Sequence, residues 1–176
     1  IMAYNYAVEL FQNNELDKAV EYFLMTKKYP LDPRLNALSL YWIAEVYYRK
    51  KEFPKAIASY RQFLEEPGAY GLDEHNDAYY NIGYCYYNQA DYFNAATAFR
   101  TFTQSTTETA RDKIADAYLR IGDCYFIQKP ADDNNAILFY QKAIDVGAGQ
   151  VDYAKYQIGL SYGFLSKYHE KISIMM

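Results

Sequence analysis

Two cysteines and two histidines are all that this chain of 176 residues offers a metal or a nucleophilic mechanism. Cys85 and Cys124 form no CxxC or Cys/His spacing. Each sits in an apolar helical pattern and reads as a small buried thiol. His75, placed in a linker, and His169, placed in a turn, have no second ligand nearby and read as surface histidines. Positive charge is also scarce: 18 Lys and Arg stand against 22 Asp and Glu, giving a net charge of −4 and a pI of about 5.2. A nucleic-acid binder needs a basic stripe to displace counterions, and the densest basic cluster here, Arg49, Lys50, Lys51 and Lys55, falls in a predicted turn. No run is long or apolar enough to span a membrane. No secretory signal opens the sequence, which excludes little, because the chain need not start at its natural beginning. The glycines of "PGAYG" and "VGAGQ" follow no strand and have no phosphate-binding lysine. "ADDNN", Ala131 to Asn135, lacks the acidic alternation, glycine and distal Glu of a calcium loop and reads as a capped turn. Nothing resembles a catalytic triad. The expectation is a chain without enzymatic activity, with no cofactor and no metal.

Tyrosine is the residue in excess. There are 22, and aromatics make up 19% of the chain. Hydrophobic residues reach 51% while mean hydropathy is only −0.39. Tyrosine accounts for the gap, since its ring is apolar and its hydroxyl needs a partner or water. Such residues suit half-buried surfaces and interfaces.

The chain also repeats itself. Ala44, Gly83, Gly122 and Gly159 are spaced by 39, 39 and 37 residues. Each lies in one frame, as in Leu40-x2-Ile43-Ala44-x2-Tyr47 and Tyr79-x2-Ile82-Gly83-x2-Tyr86. The fourth and fifth copies are Tyr118-x2-Ile121-Gly122-x2-Tyr125 and Lys155-x2-Ile158-Gly159-x2-Tyr162, and a fainter first copy runs from Ala3 through Ala7 to Leu10. A second frame follows the first four: Ala19-x3-Phe23, Ala56-x3-Tyr60, Ala95-x3-Phe99 and Ala136-x3-Tyr140. Apolar residues recur at helical spacing throughout. Each unit is therefore two amphipathic helices: A, with a small residue in the middle, and B, with alanine near its start. Glycine inside a helix costs roughly 1 kcal/mol relative to alanine. Three at one phase imply close helix contacts that offset the cost. Asp32-Pro33 reads as an N-cap followed by a first-turn proline, and Asp91 and Asp133 read as caps of later B helices. The longest linkers are Glu65 to Asp77 and Gln104 to Thr109, and the turn Gln128 to Asn135 is about two residues longer than its counterparts. No strand pattern competes, so the chain should be all-α.

These two frames resemble the tetratricopeptide repeat, whose signature is W-x2-L-G-x2-Y, then A-x3-F, then P. The resemblance covers nearly the whole chain. The leading Trp is replaced by Leu40, Tyr79, Tyr118 and Lys155, and Lys171 stands where the last B helix would have alanine. The period is longer than the usual 34 residues, a long, Tyr-rich form similar to that of bacterial envelope proteins. The resemblance implies an α-solenoid of helix-turn-helix repeats forming a right-handed superhelix. Its four to five repeats fall at about 1–31, 32–68, 73–106, 109–148 and an incomplete 150–176. Neither end carries a polar capping face, so the array is expected to be a piece of a longer one, or to self-associate through its ends.

In this family the concave groove is lined by residues flanking the packing positions of helix A. Carried onto this sequence, that phase gives Tyr4, Val8 and Phe11, then Tyr41, Glu45 and Tyr48, then Asp77, Tyr80, Tyr84 and Tyr87. It continues with Leu119, Asp123 and Phe126, and with Tyr153, Tyr156, Leu160 and Gly163. Tyr47, Tyr86, Tyr125 and Tyr162 fall at packing positions instead. The Lys and Asn with which some family members clamp a terminal carboxylate are absent; Tyr41, Glu45, Tyr80 and Tyr84 stand there. Asp77, Asp116 and Asp123 make that end of the groove acidic, favouring a ligand with Lys or Arg, or one with flat apolar groups. The implied function is a protein–protein interaction scaffold for a peptide or partner helix. The alternatives are a glycan-binding module using tyrosines as stacking platforms, and a structural or self-associating segment. The resemblance leans toward a bacterial envelope or periplasmic compartment, otherwise the cytoplasm.

Overall fold

The computed structural model describes residues 2–28, 32–105, 110–147, 149–166, 170 and 173–174. Among these the chain is all-α, with no strand. The helices are α1 (Met2–Gln12), α2 (Leu16–Lys28), α3 (Pro33–Arg49), α4 (Phe53–Glu65), α5 (Asp73–Asn88), α6 (Tyr92–Ser105), α7 (Arg111–Ile127), α8 (Asp133–Val146) and α9 (Val151–Phe164). The odd-numbered helices carry the A frame and the even-numbered ones the B frame. The B frame expected around Lys171, and His169 with it, lie outside the described residues.

Helix ends follow local chemistry. The Asp32 carboxylate accepts the Arg34 N–H at 2.8 Å, and Pro33 occupies the first helical position of α3. Asp91 accepts the Asn94 N–H at 3.2 Å and caps α6. The expected cap Asp133 is instead the first residue of α8; Asp132 is the cap and accepts the Asn135 N–H at 3.1 Å. The reason is the longer turn. In the first two repeats the A-to-B turn closes on the carbonyl three residues after the small residue: Glu15 N–H donates to Leu10, and Glu52 N–H to Tyr47. In the fourth repeat Asp132 N–H donates to Tyr125 at 2.9 Å, with two more residues enclosed. In the shorter turns Asn14 and Lys51 take left-handed backbone angles, with φ of 62° and 59°.

The chain divides into two compact units, Ile1–Gln89 and Ala90–Met176. Unit 1 stacks α1 through α5 in sequence order, and unit 2 stacks α6 through α9 in the same way. The division falls within the stretch assigned to the third repeat.

Small residues sit where helices meet. Ala7, Ala44, Gly83, Gly122 and Gly159 of the A frame are all buried, as are Ala19, Ala56, Ala95 and Ala136 of the B frame. A methyl group added at Gly122 would lie 2.6 Å from the buried ring of Tyr140. Larger side chains fill the remaining space: Leu10, Phe11, Phe23, Ile43 and Val46 in unit 1, and Leu119, Tyr140 and Ile158 in unit 2.

The segment Glu65 to Asp77 is not the open linker expected. Pro67–Ala69 forms a 3-10 turn, Ala69 is fully buried, and α5 already begins at Asp73. Gly68 lies against the first turn of α3, so close that an added methyl would fall 2.1 Å from the Pro33 carbonyl oxygen. His75 is correspondingly not a linker surface residue. It lies in the first turn of α5, half-buried, with its ring centroid 5.5 Å from Tyr70 and 6.1 Å from Tyr79.

Candidate functional site

In unit 1 the A helices α1, α3 and α5 present the residues assigned to the groove. Tyr48, Tyr80, Tyr84 and Tyr87 are half-buried, each keeping part of its ring accessible. Tyr80 and Tyr84 meet edge to face at 5.1 Å between centroids, and Tyr48 meets Phe53 at 5.9 Å. Asp77 is also half-buried. Tyr41 is different. Its ring is 8% exposed and packs edge-on against Trp42, Tyr60 and Phe63 at 5.4–5.8 Å. It belongs to the core, because the B-frame aromatics of α4 reach across and cover it. Burial, then the charges of Glu45 and Asp77, hold its hydroxyl well above the ordinary tyrosine range.

Glu45 is likewise engaged. It accepts the Tyr60 hydroxyl and the Asn81 side-chain amide, the latter at 2.7 Å, and Asn81 also donates to the Tyr41 hydroxyl at 3.2 Å. Burial, with the Glu45 charge second, pushes the Tyr60 hydroxyl far upward. Trp42 donates to the Tyr4 hydroxyl at 2.9 Å and lies 5.0 Å from Phe11. Arg49 sits 3.7 Å over the Phe11 ring and donates to the Phe11 carbonyl at 3.3 Å.

In unit 2 the equivalent carboxylate is more enclosed. Asp123 is 1% exposed. It accepts the Tyr140 hydroxyl at 2.8 Å and the Tyr153 hydroxyl at 2.7 Å, and pairs with the Arg120 guanidinium. The expectation that Asp123 makes a groove surface acidic is corrected here: its charge is spent inside the unit. Burial raises its carboxyl pKa despite the opposing pull of Arg120 and the two hydroxyls. Burial and the bond to Asp123 push Tyr153 up to about 12. Asp116 lies 3.5 Å from the same Arg120. Phe126 is half-buried, 5.9 Å from the exposed Phe164, and Tyr156 is 52% exposed.

The two carboxylates obey one rule that single-frame reading misses. Glu45 and Asp123 each follow the small residue of helix A, and each accepts a hydroxyl from the B-frame aromatic of its own repeat, Tyr60 or Tyr140. In the first and third repeats that aromatic is Phe23 or Phe99, and the residue after the small one is Val8 or Tyr84, neither of them an acid. A buried hydroxyl needs an acceptor, and a phenyl ring does not. Comparing the A and B frames position by position would have exposed the pairing. A second device also recurs: Arg61 donates to the Tyr86 hydroxyl at 2.8 Å, and Arg100, one period on, to that of Tyr125.

Among the described residues no cluster of His, Cys, Asp and Glu could hold a metal ion. No helix there is long and apolar enough to cross a membrane. Burial pushes both cysteine thiols up to about 12, as expected of unreactive packing residues.

The tetratricopeptide repeat model matches the chain twice, over residues 26–71 and 44–108. No curated protein matches significantly by sequence. Solved structures share the fold over nearly all of the chain. MamA is 22% identical with a TM-score of 0.76, the match covering 98% of this chain and 86% of that one. MamA from Desulfovibrio magneticus RS-1 is 16% identical with a TM-score of 0.74, covering 98% and 89%. YrrB, a tetratricopeptide-repeat protein with an unusual peptide-binding site, is 18% identical with a TM-score of 0.74, covering 99% and 81%.

Proposed function

We propose, from the similarity to the tetratricopeptide repeat over residues 26–71 and 44–108, that the chain is a non-catalytic scaffold of four to five such repeats. It holds a peptide or partner helix against its Tyr-rich A-helix faces. The observation that carries this is the half-exposure of Tyr48, Tyr80, Tyr84 and Tyr87 on one face of unit 1, once the core has taken up Tyr41. A ring held by a rigid helix offers contact area at little entropic cost, and such residues dominate binding energetics. The peptide-binding site of YrrB, a protein with the same fold, supports the reading.

A peptide-display selection on the purified protein tests it. Selected peptides should bind Tyr48→Ala and Tyr84→Ala at least about tenfold more weakly, roughly 1.4 kcal/mol, while the melting temperature stays within a few degrees. A large loss of stability in both variants would place those rings in the core and remove the aromatic face. Enrichment of oligosaccharides on a glycan array, with no peptide selected, would favour the glycan-binding alternative.

A further inference from the structure

We propose that the partner held on the A-helix face of unit 1 is a basic segment, with Lys or Arg side chains seated between tyrosine rings and carboxylates. This rests on the scaffold reading above and adds the chemistry of the occupant.

Charge and aromatic placement carry it. Helices α1 and α5 carry the acids Glu9, Asp73, Glu74 and Asp77 and no lysine or arginine. The arginines of α3 stand at its two ends. Arg34 is exposed in the first turn, and Arg49 is fixed over the Phe11 ring and on the Phe11 carbonyl. Between those ends the face carries Glu45, Glu74 and Asp77. On α5, Asp77 follows Glu74 by one turn, and Tyr80 and Tyr84 follow Asp77 at the helical spacing that keeps them on one side, so these acids extend the aromatic row along the same helix face. Glu45 adds its charge from within, although its oxygens are engaged by Tyr60 and Asn81. The accessible rings are Tyr48, Tyr80, Tyr84 and Tyr87. A cation near a tyrosine face gains from the ring quadrupole, and carboxylates at the rim add steering that weakens with salt. An acidic segment would meet like charge here, and a neutral one would leave the field unused.

The face therefore discriminates by charge, which a fluorescent amphipathic peptide can read. The probe carries Lys and Leu at helical spacing; its companions replace every Lys by Gln or by Glu. The Lys peptide should bind at least tenfold more tightly than the Gln peptide, and the Glu peptide should not bind. Raising the salt concentration should weaken the Lys peptide. Glu74→Gln combined with Asp77→Asn, near-isosteric changes whose folding is checked by circular dichroism, should lower its affinity at least tenfold. Glu21→Gln, on the exposed side of α2, should leave it unchanged. Equal binding of the Lys and Gln peptides, or full affinity in the Glu74/Asp77 variant, would overturn the basic partner. Tyr48→Ala and Tyr84→Ala separate the two failures. If they still weaken the neutral peptide, the scaffold reading stands without the charge preference. If no peptide binds, or binding ignores the tyrosines, both readings fall.

Discussion

At the scale of single residues, the chain uses tyrosine in three ways that composition cannot separate. Some rings are core, as in Tyr41, Tyr60 and Tyr140; some are clamped by arginine from the preceding repeat, as in Tyr86 and Tyr125; some keep an accessible edge, as in Tyr80 and Tyr84. The core set depends on its acceptors. Tyr60→Phe removes one donor from Glu45 and should cost about 1–2 kcal/mol. Glu45→Val in that background copies the Phe23/Val8 combination of the first repeat and should cost less than it does alone. A double-mutant cycle by urea denaturation should give a coupling of about 1 kcal/mol or more; additive effects would deny the pairing. The same tyrosines set the alkaline limit. Tyr41, Tyr60 and Tyr153 have folded pKa values above the unfolded value of 10. Their contribution to stability is therefore complete below pH 10 and is lost as pH rises through the folded values. Absorbance titration at the tyrosinate band should show a set of tyrosines that ionises only at pH about 12 or above, together with loss of helical circular dichroism. Ionisation of all tyrosines in one step near pH 10, with helices intact, would contradict the buried set.

At the scale of elements, the close approaches are specific to particular backbones. The 3-10 turn at Pro67–Ala69 brings Gly68 against the Pro33 carbonyl, a main-chain atom that cannot rotate aside. Gly68→Ala should destabilise by about 2 kcal/mol or more through overpacking, although alanine is ordinarily the better residue for order. A neutral melting curve would show that the turn does not dock as described. Part of this element level was legible beforehand. Matching A and B frames predict paired helices, and Asp32-Pro33 predicts a capped start. The segment Glu65 to Asp77 read as a linker because proline and two glycines in a short stretch are the usual turn composition. What folds it down is contact with α3, a neighbour more than thirty residues earlier in the chain, and no local pattern encodes that contact.

At the scale of the whole molecule, helices pack on their sequence neighbours within each unit, so stability should be approximately a sum of local terms. Gly122→Ala drives a methyl group to 2.6 Å from the Tyr140 ring and should cost about 1–3 kcal/mol net of improved helix propensity. Hydrogen exchange followed by mass spectrometry should place the added opening in α7 and α8, with little change in α1 to α3. Uniform loss of protection across the chain would mean a single cooperative block instead.

The sequence by itself determined the helical class, the two-helix period and the burial of every small residue at its recurring phase. Periodicity and side-chain size are local properties written directly in the residues. Which tyrosines and acids remain available to a partner was decided only by the tertiary structure. Glu45, Asp123 and Tyr41 share the helical phase of Asp77, Tyr80 and Tyr84. Tyr60 or Tyr140 of the facing B helix meets each of the first three, and burial is a property of that pair of helices rather than of either one.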